Sequence, residues 1–157
     1  IRKIKEIMPD AFIGVDVIVG TRGETDEYFE SAYDFINGLD VTQLHVFSYS
    51  ERPGTQALKI DYVVTPEKKH ERSQRLLALS EEKTRAFYAK HIGQTMEVLL
   101  EKPKPGAMMH GFTKNYIRVE VDGDHSLDNK LVQVKLGDFN EDGTALRGII
   151  LGMSDNE

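Results

Sequence analysis

The chain has 157 residues, with 20 Lys and Arg against 26 Asp and Glu, so its formal net charge is −6. Apolar residues make up 39 % and charged residues 29 %, a composition typical of folded, water-soluble domains. No apolar run reaches the roughly 20 residues of a membrane helix, and no signal-peptide pattern opens the chain. The chain contains no cysteine, which excludes disulfides, thiol nucleophiles and metal clusters ligated by cysteines of this segment, and favours a cytoplasmic protein.

Residues 1–90 alternate between helix and strand patterns. Helices are predicted at 1–8, 25–38 and 65–90, and strands at 11–19 and 41–49. The β-branched run at 11–19 is typical of a strand buried on both faces, and the alternation predicts a parallel sheet. Because two strands do not form a stable parallel sheet alone, we interpret this α/β region as part of a larger barrel or doubly wound sheet. The uncapped helix at residue 1 resembles the cut end of a longer chain, and a mature chain that begins in a helix is the alternative.

From residue 92 the pattern changes to short strands without intervening helices. They are predicted at 94–101, 109–121, 130–136 and 144–151, and clusters of Pro, Gly, Asn and Asp separate them. This pattern predicts a small antiparallel β-barrel. The chain therefore divides into two predicted domains, 1–91 and 92–157.

The charge is unevenly distributed along the chain. Residues 66–90 have a net charge of +3, whereas residues 91–157 have a net charge of −4. Neither region is basic enough to bind nucleic acid by counter-ion release alone, so an RNA partner needs shape-specific contacts. His70, His91, His110 and His125 lack metal-ligand spacing and are interpreted as surface groups, and His45, in the middle of a predicted strand, as a hydrogen-bonded residue of the barrel.

Two loops follow the predicted parallel strands, at the edge where α/β folds bind ligands. The first contains Gly20, Gly23 and Glu24 and leads into a capped helix, so a ligand can approach the backbone and the free N–H groups. An ordinary tight turn is the alternative. The second loop contains Tyr49, which stacks on rings, Arg52, which pairs with carboxylate or phosphate, and the Pro53-Gly54 turn. An ordinary loop is again the alternative.

Aromatic and basic residues interleave in the predicted strand 109–121. Phe112, Lys114, Tyr116 and Arg118 share one parity and are expected on one face, where they are suited to stack unpaired bases and contact phosphates. A mixed solvent-exposed face is the alternative interpretation.

Together these segments resemble the radical SAM methylthiotransferases. The resemblance rests on Asp-Val-Ile-Val-Gly-x-x-Gly-Glu-Thr at 16–25, on His-Val-Phe-x-Tyr-Ser-x-Arg-Pro-Gly-Thr-x-Ala at 45–57 and on the terminal small barrel. It implies a C-terminal fragment: the last βα units of a radical SAM barrel, followed by an RNA-binding TRAM barrel of OB-like type. It further implies that the full-length enzyme binds S-adenosylmethionine (SAM) and two 4Fe-4S clusters through upstream domains, and that this fragment binds no cluster and is inactive alone.

Within the family, the runs 44–50 and 113–119 resemble the branch that modifies threonylcarbamoyladenosine at position 37 of tRNA. The alternatives are the isopentenyladenosine branch and the branch that modifies an aspartate of a small-subunit ribosomal protein. A different radical SAM enzyme and a non-catalytic RNA-docking module are further alternatives. Arg22 departs from the family, which favours Pro there, and this leaves open what the loop presents to substrate.

The resemblance also implies roles for individual residues. Those expected to bind the cofactor are Ile18, Gly20, Gly23, Glu24, Tyr49, Ser50, Arg52 and Gly54. Those expected to contact the tRNA anticodon stem-loop are Phe112, Lys114, Asn115, Tyr116 and Arg118. No catalytic residue and no metal ligand is expected in this segment, and no membrane partner. The cut barrel is expected to leave an open edge at strand 11–19, which invites a dimer.

Overall fold

A computed structural model describes residues 1–154 of the chain. The helices are α1 (Arg2–Ile7), α2 (Asp26–Asn37) and α3 (Pro66–Ala89). The strands are β1 (Gly14–Val19), β2 (Gln43–Ser48), β3 (Thr95–Leu100), β4 (Met109–Thr113), β5 (Arg118–Val121), β6 (Leu131–Phe139) and β7 (Leu146–Met153). They form two compact units that divide between Arg85 and Ala86. The last three residues of the predicted domain 92–157 lie outside the described part. No described helix is long and apolar enough to cross a membrane.

The first unit confirms the predicted helix–strand order. β1 and β2 pair in parallel, from Gly14 opposite Gln43 to Val19 opposite Ser48. The Thr25 hydroxyl accepts a hydrogen bond from the Tyr28 N–H and so caps α2, as the sequence predicts. The core between the sheet and the helices consists of Val19, Phe29, Val41, Leu44, Leu76 and Leu79.

The expectation that strand 11–19 is buried on both faces is wrong for the described chain. Val15, Val17 and Val19 face the helices, whereas Gly14, Asp16 and Ile18 are exposed. The reason is that α2 and α3 both supply the same core, so the other face of the sheet has no cover among residues 1–154. The β-branched run therefore predicts that residues 11–19 form a strand, but it does not predict whether one or both faces of that strand are buried.

The second unit is a closed barrel with the strand order β3-β4-β5-β7-β6, and β6 closes it by pairing with β3. Its interior is filled by the apolar side chains Val98, Leu100, Met109, Ile117, Val119, Val121, Val132, Val134, Leu136 and Leu146. A Cβ at Gly148 would overlap the side chains of Val134 and Val119, so the packing requires glycine there. The predicted small barrel is confirmed.

The sequence pattern predicts an entirely antiparallel barrel, and this expectation is wrong for one pair of strands. β5 and β7 run parallel, and every other neighbouring pair is antiparallel. The cause is geometric: strand directions cannot alternate all the way around a ring of five, so at least one pair must be parallel.

Two further expectations are corrected in this unit. Residues 109–121 form a hairpin of β4 and β5 rather than one strand, because the chain turns at 114–117 and Tyr116 adopts a φ of 62°. His91 is not a surface group: it is buried, its Nδ1 lies 2.8 Å from the Phe87 carbonyl oxygen, and its ring contacts the Phe87 ring.

Candidate functional site

A cleft of about 280 Å³ lies where β1 and β2 end. Ile18 and Phe47, which are register partners, line it from the strands. Tyr49, Ser50 and Arg52 line it from the loop after β2. Four residues predicted from the sequence, Ile18, Tyr49, Ser50 and Arg52, are thus brought together.

The other residues of the cleft lining are Phe47, Ser48, Thr55 and Ala57, which lie within the predicted segment 45–57 but are not among the residues singled out as cofactor-binding. A signal for Phe47 was available, because the period of two places it on the exposed face of β2 with His45. Only the pairing register, however, sets Phe47 beside Ile18.

The loop that lines the cleft is held in a defined shape. The Thr55 N–H donates to the Arg52 carbonyl at 3.4 Å, and Gly54 between them has a φ of +80°. These are features of a type II turn with Pro53 and Gly54 at its centre. Lys69 donates to the Tyr49 carbonyl at 3.2 Å, and its ammonium lies 5.4 Å from the centre of the Tyr49 ring. The Tyr49 ring is therefore fixed by a cation beside it.

In the turn after β1, the backbone N–H groups of Gly20 and Gly23 already have hydrogen-bond partners within the first unit. The Gly20 N–H donates to the Glu24 carboxylate at 2.9 Å, and the Gly23 N–H donates to the Tyr62 carbonyl at 2.9 Å. A Cβ at Gly20 would overlap the Lys69 side chain. Gly20, Gly23 and Glu24 therefore shape the turn and do not line the cleft, and their role toward a cofactor stays a prediction.

Arg72 holds this turn to α3. Its guanidinium is only 4 % exposed and donates to the Glu24 carboxylate at 2.9 Å and to the Asp26 carboxylate at 2.7 Å. Lys68, and then Arg72, lower the pKa of Asp26 by hydrogen bonding to its carboxylate. The acidic start of α2 is thus neutralised by cations of α3.

Arg22 joins the turn after β1 to the loop after β2. Its Nε donates to the Glu51 carboxylate at 2.7 Å, and its Nη1 donates to the carbonyls of Leu58 and Ile60 at 3.1 and 3.0 Å. The hydrogen bond from Arg22 lowers the pKa of Glu51. The residue that departs from the family pattern therefore anchors the cleft loop.

In the second unit, the β4–β5 hairpin gathers the predicted aromatic and basic residues. Phe112 and Arg118 are register partners, and the Phe112 and Tyr116 ring centres are 6.5 Å apart. The Tyr88 hydroxyl accepts from the Arg118 N–H at 3.2 Å and donates to the Tyr116 carbonyl at 3.4 Å, which fixes the turn. Shared strand parity is not the cause of this grouping; the hairpin register is.

Lys114 and Asn115 have partners within the unit. The Lys114 ammonium lies 3.3 Å from the Glu97 carboxylate. The Asn115 Oδ1 accepts from the Thr113 hydroxyl at 2.7 Å, and its Nδ2 lies 3.4 Å from the ring of His91. The structure gives Asn115 a role in the hairpin turn, and its contact with RNA stays a prediction.

On the outer surface of the barrel, exposed apolar side chains of β3 and β6 continue the row that begins at Phe112. Leu131, Leu99, Phe112 and Arg118 lie in one row, because each is the register partner of the next. All three apolar side chains are exposed. Leu99 and Leu131 are not among the residues predicted from the sequence, because only the strand pairing places them beside Phe112. Among residues 1–154, no group of three or more His, Asp or Glu side chains is placed so that it could hold a metal ion.

Comparison with known proteins gives extensive matches. Threonylcarbamoyladenosine tRNA methylthiotransferase MtaB of Bacillus subtilis is 34 % identical over 140 residues, which are 87 % of this chain and 31 % of the relative. The tRNA-2-methylthio-N(6)-dimethylallyladenosine synthase of Aliarcobacter butzleri is 36 % identical over 152 residues, 95 % of this chain and 34 % of the relative. The synthase of the same name from Symbiobacterium thermophilum is 37 % identical over 137 residues, 85 % of this chain and 29 % of the relative.

The chain thus spans about a third of the length of the curated relatives that it matches. No protein-family model matches it.

Proposed function

The chain belongs to the radical SAM methylthiotransferase family, and from that premise we propose that it is part of an enzyme that adds a methylthio group to a modified adenosine of tRNA. The single observation that supports this most strongly is the 34–37 % identity over 85–95 % of the chain to relatives whose names state this activity.

We propose threonylcarbamoyladenosine at position 37 as the substrate, with carbon 2 of the adenine as the modified atom. The Bacillus subtilis relative is named for threonylcarbamoyladenosine, and the runs 44–50 and 113–119 carry the resemblance to that branch. Dimethylallyladenosine, named in the other relatives, is the second candidate. The ribosomal-protein aspartate is the third, and no relative described above is named for it.

We propose that residues 1–91 are the last part of a radical SAM barrel and residues 92–157 a TRAM domain. The exposed face of the β1–β2 sheet supports the first assignment, because a barrel continued by further strands would enclose Asp16, Ile18, His45 and Phe47. The closed five-stranded barrel supports the second. In the complete protein, the open edge of β1 is then paired by an upstream strand, and a dimer across that edge is the alternative.

The cleft at the ends of β1 and β2 fits part of SAM. Ile18, Phe47 and Tyr49 offer apolar and aromatic surfaces for a flat adenine ring. Arg52 and Ser50 offer a cation and a hydroxyl for the carboxylate and hydroxyl groups of the cofactor. SAM, when bound, supplies the methyl group of the product. The chain has no cysteine and supplies no thiolate, so we propose that other parts of the complete protein hold both iron–sulfur clusters.

We propose that the barrel binds the anticodon stem-loop through the β4–β5 hairpin and that the protein works in the cytoplasm. Aromatic rings beside a cation are suited to stack on unpaired bases. A non-catalytic RNA-docking module is the alternative function, and the exposed Phe112 and Tyr116 are the observation that favours it.

The test expresses the complete gene product that contains this sequence in a bacterial strain that lacks tRNA methylthiolation. Nucleosides from its tRNA are then analysed by mass spectrometry. We expect the methylthio form of threonylcarbamoyladenosine. The methylthio form of the dimethylallyl nucleoside would move the assignment to the other branch, and neither product would refute the enzymatic proposal and favour the docking module.

A further inference from the structure

The positive charge of the second unit is concentrated in one stretch of its sequence. Residues 102–118 contain four Lys and Arg and no Asp or Glu, although residues 91–157 carry a net charge of −4. Among residues 1–154, neither Lys102 nor Lys104 forms an ion pair, and the Arg118 guanidinium has no carboxylate at ion-pair distance.

Three of these cations converge on one cleft. Lys102 and Lys104 of the β3–β4 loop and Arg118 of β5 line a space of about 270 Å³. The loop is anchored at its base, because the Glu101 N–H donates to the His110 carbonyl at 2.8 Å, and it contains a turn in which the Ala107 N–H donates to the Lys104 carbonyl at 3.0 Å. The loop thus holds two lysines over the same space as Arg118.

The other ionisable groups of the cleft are Glu101 and His110. The His110 Nε2 lies 3.0 Å from the Glu120 carboxylate, so that nitrogen already has a partner. Glu101 is the one carboxylate in the lining. Among the lining residues three cations face one carboxylate, and the Asp142 carboxylate interacts electrostatically with Arg118 from outside the lining.

We propose that this cleft binds phosphate groups of the RNA backbone next to the bases that stack on Phe112 and Tyr116. Arg118 connects the two parts, because it lines the cleft and is the register partner of Phe112. Backbone phosphates are the anions that lie beside every stacked base, and Lys and Arg are the side chains that contact them. The inference rests on the proposed RNA binding by the barrel and adds Lys102 and Lys104, which that proposal does not include.

The experiment titrates the 157-residue chain with an anticodon stem-loop RNA at several salt concentrations. The variant is Lys102→Gln with Lys104→Gln, and the matched control is Lys130→Gln with Lys135→Gln, which removes the same charge from two exposed lysines outside the cleft. Each phosphate contact contributes about 0.7–0.9 to the slope of log K against log salt. We expect the cleft variant to lower that slope by about 1.5 and the affinity at low salt about tenfold, with smaller effects in the control.

A third variant tests the sign of the effect. Glu101→Gln removes the one carboxylate of the cleft lining, so we expect it to tighten RNA binding severalfold. Equal effects of the two double-lysine variants, or an unchanged affinity of the Glu101 variant, would overturn the phosphate site while leaving RNA binding by the hairpin intact. Failure of the unmodified chain to bind the stem-loop at all would overturn both proposals.

A competitor separates phosphate binding from simple charge attraction. Polyglutamate of the same total charge as the RNA carries carboxylates without phosphates or bases. We expect it to displace the stem-loop poorly. Displacement at the same charge concentration would overturn the assignment to phosphate.

Discussion

The cations of α3 in the first unit and those of the β3–β4 cleft in the second differ in whether they have carboxylate partners. The basic segment 66–90, of which residues 66–85 belong to the first unit, has a net charge of +3, yet Lys68, Arg72 and Arg75 all contact carboxylates of α2 or of the turn before it. Residues 91–157 have a net charge of −4, yet the cations of the β3–β4 cleft have no carboxylate at ion-pair distance among the described residues. Net charge along a sequence therefore does not identify a binding surface, whereas the cleft is distinguished by three cations that line one space.

The difference follows from position in the fold. The cations of α3 lie against the acidic first turn of α2, where the helix N-terminus favours carboxylates and each carboxylate takes a cationic partner. Lys102, Lys104 and Arg118 lie on a loop and a hairpin of the barrel, where residues 102–118 contain no acid. The first set stabilises the fold, and the second remains available for a ligand.

The largest expected effect concerns the buried cation of the first set. Arg72→Ala should lower the free energy of unfolding of residues 1–85 by about 3 kcal/mol, because it leaves a largely buried Glu24 carboxylate without its guanidinium. Arg75→Ala is the control: its partner Glu30 is exposed, and the loss should stay within about 1 kcal/mol. Denaturation by urea, followed by circular dichroism, measures both. Equal losses would show that burial does not decide the role of these cations.

The next largest effect concerns base stacking on the hairpin. Tyr116→Ala should weaken binding of the anticodon stem-loop by about 1–3 kcal/mol, with an unchanged salt slope, because a ring contributes stacking and no charge. Tyr28→Ala on α2 is a matched control, since both tyrosines are 66 % exposed. Fluorescence anisotropy with labelled RNA gives both values. If the two variants bind equally, the hairpin surface is an ordinary solvated face.

A smaller effect separates two cations of the same hairpin. Arg118→Gln should reduce the salt slope by about 0.7–0.9, because its guanidinium lies in the phosphate cleft. Lys114→Gln should reduce it less, since Lys114 is already paired with Glu97. The same titration, repeated at four salt concentrations, measures both slopes. A larger change for Lys114 would contradict the distinction between paired and unpaired cations.

The smallest effect is the acid sensitivity of a paired carboxylate on the barrel. Hydrogen bonds from Asn140, and also from His110 and Arg147, lower the pKa of Glu120 below its ordinary value of 4.5. The folded state thus favours the charged form, and its contribution is complete above the ordinary pKa and lost as the pH falls through the lowered one. Glu120→Gln should therefore flatten the dependence of barrel stability on pH below about 5, measured by thermal unfolding. Identical pH profiles would argue against this pairing.

From local signals the sequence predicts the order of the elements and the change from an α/β part to a small barrel. The signals are local: Thr25 and Thr65 precede α2 and α3, and their hydroxyls accept hydrogen bonds from the first turns. The change from long helices to short strands near residue 92 is local as well. It also determined that Ile18, Tyr49, Ser50 and Arg52 share one end of the sheet, because both parallel strands end there.

Which side chains meet depends on the packing of distant segments. Asn115 is the one turn-favouring residue in 114–117 and has no Gly or Pro beside it, so the sequence pattern predicts one strand where pairing with β3 and β7 gives a hairpin. The pairing of Arg22 with Glu51 and of Arg72 with Glu24 joins positions 29 and 48 residues apart. The convergence of Lys102, Lys104 and Arg118 on one cleft arises in the same way. The physical reason is that local patterns set backbone conformation, whereas the neighbours of an exposed charge depend on how distant segments pack.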